Sequence, residues 1–264
     1  MAGWNDFVSA RPRVPTPMLD LEFITLSDDG KIRDHNEDYL GHVAPESEDH
    51  ARTHGWLFVL ADGVGGHDHG EVASRTAVTK IQESFKKAPA SEPLGALLGR
   101  LAREANIEVY ETAKRTGPGG SSMATTLVAC ALRHDRIAVA HAGDSRCYLV
   151  RNHRAVILTK DHKVADGALS RTLGVDPYTQ AELSEHQMEP GDVFVLCSDG
   201  LHNTVETSEI AAVAGSGAGL DHAAKRLIAL ANDRDGSDNI SVLIVRVRDV
   251  ERVGMYRGRP YTLR

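Results

Sequence analysis

Apolar residues recur along this chain with two different periods, and the alternation between them outlines a layered domain. Residues 21–26 alternate apolar and polar side chains as a half-buried strand does, whereas 56–61 run continuously apolar, as expected of a strand covered on both faces. The period then changes to helical. Within 71–85, Ala73, Ala77, Ile81 and Phe85 stand four apart on one stripe; within 94–113, Leu94, Leu97, Leu98, Leu101, Ala105 and Val109 recur at spacings of three and four. A Gly- and Ser-rich loop at 116–122 ends helicity. Four short strands follow at 125–132, 136–141, 146–150 and 155–158, with turn residues at His134-Asp135 and Asn152-His153, a pattern that predicts one antiparallel meander. Two more apolar strands are predicted at 192–197 and 240–247, with helices at 207–213 and 220–231 between them. Helix pairs segregated from runs of strands predict an α+β domain with helices outside packed antiparallel sheets.

Composition adds limits. The chain has 264 residues, 41% of them hydrophobic and 25% charged, enough for one large core, and no compositional shift divides it. A net charge of -7 disfavours nonspecific contact with nucleic acid or anionic membrane. No apolar run approaches the roughly 20 residues that cross a bilayer, and residues 1–17 carry Asp6, Arg11 and three prolines in place of an apolar leader, so a cytoplasmic protein is expected. Cys130, Cys147 and Cys197 are odd in number and sit in apolar runs; they read as reduced core residues, not as a disulfide or zinc framework.

The chemistry is concentrated in five acidic motifs: Asn36-Glu37-Asp38, Asp62-Gly63, Gly143-Asp144-Ser145, Ser198-Asp199-Gly200 and Ser237-Asp238-Asn239. Each places an Asp at a strand end or in a tight turn. Singly, such carboxylates would lose hydration without gaining a partner; gathered at one edge around divalent cations they are compensated, and this pattern predicts a two-metal hydrolase. Oxygen-only ligands suit manganese or magnesium better than zinc. An Asp-Gly pair alone is a common turn, but here an apolar run delivers one twice, at Asp62 and at Asp199. Arg33, a few residues before Glu37 and Asp38, offers a planar fork suited to phosphate, although a mixed-charge hexapeptide by itself would read as a solvated loop.

In order along the chain, Arg33-x-x-Asn36-Glu37-Asp38, Asp62-Gly63-x-Gly65-Gly66, Ala124-Thr125-Thr126, Gly143-Asp144-Ser145-Arg146, Leu158-Thr159-x-Asp161-His162, Arg171-x-Leu173-Gly174, Ser198-Asp199-Gly200-Leu201 and Ser237-Asp238-Asn239-Ile240-Ser241-Val242 resemble the protein phosphatase 2C family, the metal-dependent serine/threonine phosphatases, in its bacterial form. The resemblance implies a four-layer α/β/β/α sandwich, two antiparallel β-sheets flanked by helix pairs, with an N-terminal extension at 1–19, a catalytic domain at 20–250 and a C-terminal tail at 251–264. It also implies the roles of the site residues. Asp62 bridges two Mn2+ or Mg2+ ions, the Gly63 carbonyl binds one of them, and Asp199 and Asp238 bind the other. Glu37 and Asp38 act mostly through metal-bound water, with Asp38 also numbered among the ligands; Arg33 holds the substrate phosphate, and Asp144 with Asp199 forms a weaker third site. The reaction implied is hydrolysis of phosphoserine or phosphothreonine by direct attack of a metal-bridging hydroxide, with no covalent intermediate. A phosphorylated protein substrate, an opposing serine/threonine kinase and a monomeric state accompany that expectation. A small-phosphomonoester phosphatase and an inactive pseudophosphatase scaffold are the alternatives.

Three departures from the family pattern bear on mechanism. Val64 follows the first Asp-Gly pair where some relatives have a His. His67 and His69 could act as acids or as zinc ligands, but the simpler reading is a polar helix start before Glu71. Only seven residues separate Asp161-His162 from Ser170-Arg171, so the flap that relatives carry there is shortened, and a shallow, open cleft is expected.

Overall fold

The computed structural model describes residues 18–64, 68–116, 123–256 and 259–262. Its strands are β1 (Asp20–Asp28), β2 (Asp38–Val43), β3 (Trp56–Val64), β4 (Ala124–Thr125), β5 (Leu127–Arg133), β6 (Arg136–Ala142), β7 (Arg146–Arg151), β8 (Arg154–Ile157), β9 (Glu182–Gln187), β10 (Val193–Cys197), β11 (Ile240–Asp249), β12 (Val253–Tyr256) and β13 (Arg259–Thr262). Its helices are α1 (Glu48–Thr53), α2 (Asp68–Lys86), α3 (Leu94–Arg115), α4 (Asp199–His202), α5 (Thr207–Ala214) and α6 (Leu220–Arg234).

Continuously apolar strands need cover on both faces, and the fold supplies it with four layers. One antiparallel sheet has the order β1-β11-β10-β7-β8, the other β2-β3-β5-β6-β9 with β4 on the end of β3. Along β3, Phe58 and Leu60 point at the opposite sheet, where they meet Phe194 and Leu196 of β10, while Leu57, Val59 and Ala61 point outward against α2 and α3. On the other side, Val193, Val195 and Cys197 of β10 and Val242 and Ile244 of β11 face α5 and α6. Three apolar interfaces thus separate four layers, each Phe or Leu buried in them contributing roughly 1.5–3 kcal/mol. The helical stripes read from the sequence are the buried ones: Ala73, Ala77, Ile81 and Phe85 on α2, and Leu94, Leu97, Leu98, Leu101, Ala105 and Val109 on α3.

The predicted meander is corrected. The strands at 125–158 form two hairpins in different sheets: β5 pairs β6 in one, β7 pairs β8 in the other. The chain crosses between layers at Gly143-Asp144-Ser145, and Gly143 makes the turn with φ +99°. Cys130 and Cys147, one from each sheet, consequently lie buried as free thiols with their sulfurs in hydrogen-bond contact at 3.7 Å. The C-terminal tail carries β12 and β13, which pair antiparallel, Val253 opposite Thr262 and Tyr256 opposite Arg259. It departs from a firm anchor: buried Glu251 accepts from Arg52 Nε at 3.1 Å and faces His134 Nδ1 at 3.0 Å. Among the described residues no helix is long and apolar enough to cross a membrane.

Candidate active site

Strand ends are where a two-sheet sandwich can expose backbone and carboxylates without opening its core, and one end of this one does so. Asp62 and Gly63 close β3; Asp38 opens β2 and stands in register opposite Asp62. From the other sheet, Asp199 starts α4 just beyond β10, and Asp238 precedes β11. Asp144 sits in the crossing between them. Arg33, Glu37, Asp62, Gly63, Asp144, Asp199 and Asp238 line a single cleft of about 300 Å³, joined by Val64, Thr126, Lys163, Gly167 and Leu169. Arg33, Gly63 and every acid read from the sequence as a ligand are therefore at this one end, with Asp38 in register opposite Asp62.

Neighbouring polar side chains fix the acids in place. The Asp62 backbone is gripped on both sides: its N–H donates to Thr126 Oγ1 at 3.0 Å, and its carbonyl accepts from Thr125 Oγ1 and from the Thr126 N–H, both at 2.8 Å. Ser198, in the N-cap position of α4, gives its hydroxyl not to the helix end but to Asp38 Oδ2, at 2.7 Å. Buried Asn239 staples the loop carrying Arg33 and Glu37 to the start of β11. Its Oδ1 accepts from the Glu37 N–H at 2.9 Å, and its Nδ2 donates to the carbonyls of Asp29 and His35, each at 3.0 Å. Arg146 forks onto Asp161 at 2.9 and 2.8 Å, tying the first residue of β7 to the segment after β8. These roles for Thr125, Thr126, Asn239 and Arg146 were not assigned from the sequence, which places the residues in motifs but not opposite their partners.

Crowding shows in the ionisation of the acids. Burial, and then the charges of Asp38, Asp199, Asp238 and Asp144, push Asp62 well above the usual carboxylate range. Burial raises Asp38 to about 7, opposed by hydrogen bonds from Ser198 and Ser241. Asp199 is raised to about 6 by burial and by Asp144 and Asp238, and burial likewise raises Glu37 against the pull of Arg33. So dense a set of carboxylates is short of positive charge. Arg33 supplies some, its Nη2 standing 2.9 Å from Asp238 Oδ1 and its Nη1 3.8 Å from Glu37 Oε2. Lys163 adds a second cation, with its ammonium 2.7 Å from Asp144 Oδ2.

Divalent cations fit this donor set. All the side-chain donors are hard oxygens, which favours magnesium or manganese over zinc. Asp38 Oδ1 is buried with no hydrogen-bond partner, the condition of an oxygen awaiting a cation or a coordinated water. Gly63 lines the cleft at the strand end, and a Cβ there would lie 2.3 Å from the backbone of Gly70. His69 lies in the first turn of α2, in keeping with the helix-start reading; His67 falls outside the described residues.

A second cluster, His141, His162 and Glu182, also gathers possible ligand atoms. Its geometry is that of a hydrogen-bonded prop. The two rings stack with centroids 4.7 Å apart and planes 5° from parallel, so their in-plane lone pairs do not converge. His162 uses both nitrogens, Nδ1 accepting from the Gly143 N–H at 3.2 Å and Nε2 facing Glu182 at 3.2 Å, which braces the turn that presents Asp144.

The segment between β8 and β9 contains no helix or extended strand, consistent with the short flap seen in the sequence, but it does not leave the cleft bare. Lys163, Gly167 and Leu169 turn inward and form part of its wall.

Comparison with known proteins gives this geometry its relatives. The protein phosphatase 2C profile matches residues 34–235. The serine/threonine phosphatase Stp of Listeria monocytogenes is 32% identical over 250 residues, covering 86% of this chain and 96% of that protein. The crystal structure of the Mycobacterium tuberculosis serine/threonine phosphatase PstP/Ppp superposes with a TM-score of 0.76 at 28% identity, over 86% of this chain and 99% of that one. The catalytic domain of PstP in complex with two manganese ions superposes with a TM-score of 0.75 at 29% identity, over 87% and 99%. With the acids of both sheets meeting at one end of an α/β/β/α sandwich, and with relatives matched over nearly their whole length, this chain belongs to the protein phosphatase 2C family.

Proposed function

We propose that the chain is a metal-dependent phosphatase of phosphoserine and phosphothreonine in proteins. The observation that carries the reading is the convergence, in one cleft, of Asp62, Asp199 and Asp238 from two separate sheets, beside a buried Asp38 oxygen with no partner. In this reading Asp62, the Gly63 carbonyl, Asp199 and Asp238 would hold two ions. Glu37 and Asp38 would orient water at that centre. Two such ions, when bound, activate water for in-line attack on phosphorus and offset charge on the phosphoryl oxygens.

The remaining work falls to the protein. Arg33, exposed at the mouth of the cleft, is free to exchange Asp238 for a phosphate oxygen once cations neutralise that carboxylate, and its planar fork then orients the phosphoryl group. Positioning and charge neutralisation of this kind supply most of the catalysis in phosphoryl transfer. The shallow cleft admits an exposed phosphorylated segment of a folded protein. Manganese or magnesium both suit the ligands, and a cytoplasmic, monomeric enzyme opposing a serine/threonine kinase completes the proposal.

The test is release of phosphate from a phosphothreonine peptide with manganese and with chelator. Manganese-dependent turnover, lost by a factor of roughly 100 or more in Asp62→Asn, is expected. Manganese binding without turnover would identify a scaffold instead, and turnover confined to small phosphomonoesters would shift the substrate class.

A further inference from the structure

The short segment after β8 does more than expose the cleft. Its start is anchored by the His162 N–H donating to the Gly143 carbonyl at 2.9 Å and by the Ser170 N–H donating to the His162 carbonyl at 2.8 Å. Between these anchors it doubles back, with Lys163 bridged to Leu169 and the Val164 N–H donating to the Ala168 carbonyl at 2.9 Å. The anchoring residue Gly143 directly precedes Asp144, so the turn lays Lys163 over that carboxylate, and the ammonium lies 2.7 Å from Asp144 Oδ2 in the cleft that Asp199 also lines. Asp144 is only 4% exposed, and its own carbonyl is held by His202 Nε2 at 2.9 Å, so the backbone that presents the acid to the lysine is fixed.

We propose that Lys163 is a built-in cation: its ammonium takes the place at which Asp144 and Asp199 would otherwise bind a further divalent ion, so this chain operates with two ions and not three. The inference rests on the reading that Asp62, Asp199 and Asp238 hold the first two. A third site formed from Asp144 and a shared Asp199 has few carboxylate charges to begin with, and divalent affinity falls with that charge count. An ammonium bonded to Asp144 removes one of those charges, occupies the oxygen, and repels an incoming dication at close range. The positive charge beside Asp144 is then covalently supplied and independent of metal concentration.

The probe is manganese alone, counted per chain after equilibrium dialysis over rising concentrations. Wild type is expected to plateau at two ions. Lys163→Gln and Lys163→Ser are expected to gain a third, weaker ion, which Asp144→Asn in the same background removes. Lys163→Arg, which keeps a cation, is expected to stay at two, and thermal melting of each variant establishes that it is folded. Three ions in wild type, one of them lost in Asp144→Asn, overturns the inference while leaving the two-ion reading intact. Folded Lys163→Gln and Lys163→Ser that both remain at two ions also overturn it. Fewer than two ions in wild type overturns the underlying reading together with the inference.

Discussion

Arg33 occupies an ambiguous position, because its best partner, Asp238 at 2.9 Å, is itself a candidate metal ligand. A cation at Asp238 and the guanidinium compete for the same oxygen, and the competition has a sign that can be measured. Arg33→Ala is expected to raise KM for a phosphopeptide roughly tenfold or more, the value of a lost charge-assisted hydrogen bond. It should leave manganese affinity unchanged or slightly tighter by titration calorimetry; weaker manganese binding would show that Arg33 supports the ions and not the phosphate. Asn239 is the opposite case, a residue that touches no substrate but holds three backbone groups of the Arg33 loop. Asn239→Ala leaves those groups unpaired at a buried site, so a loss of roughly 2–4 kcal/mol in urea unfolding is expected. A fall in kcat/KM of roughly tenfold should accompany it as the loop loses its alignment. An unaltered melting temperature would refute that role.

At the scale of elements, legibility followed burial. β3, β10 and β11 were readable because both of their faces are covered, and α2 and α3 because their stripes keep one phase for several turns. β9 was not: its burial alternates between exposed and half-buried at the edge of a sheet, so its sequence lacks an apolar face. β2 escaped because Gly41 and His42 interrupt a six-residue strand. The crossing at Gly143-Asp144-Ser145 was misread because a three-residue turn between apolar strands has the same letters whether the chain returns to its own sheet or enters the next. Among site residues, Asp and Gly at strand ends could be recognised one by one. Lys163 could not, since its significance depends on Asp144, nineteen positions earlier.

The whole molecule carries an imbalance of charge at one end, and its stability must depend on pH accordingly. Asp38 at about 7 and Asp62 well above the usual value of 3.8 hold protons in the folded chain that the unfolded chain has already released. Without metal, stability therefore increases as pH falls from 8 towards 6.5. Below 6.5 the trend is opposed by His202, which burial, and then Arg146, lower from 6.5 to about 4, so that only the unfolded chain gains its proton in that window; Asp199, raised to about 6, takes up a further proton in the folded chain and keeps the balance on the rising side. The melting temperature in chelator is expected to rise between pH 8 and 6.5 and to go on rising, less steeply, towards pH 5. With saturating manganese the first slope should reverse, because bound ions require the deprotonated acids. A metal-free melting temperature that drops steadily from pH 8 would contradict the crowding. The crossing of the chain between layers has a mechanical corollary. Asp38 and Asp62 ride on one sheet and Asp199 and Asp238 on the other, across an interface of greasy side chains that resist separation but not sliding. Ions shared by the two sets would act as a rivet against that shear. Chelation should accordingly quicken amide hydrogen exchange at Ala61 and Ser198 far more than at Leu57 and Phe194, near the opposite ends of the same strands.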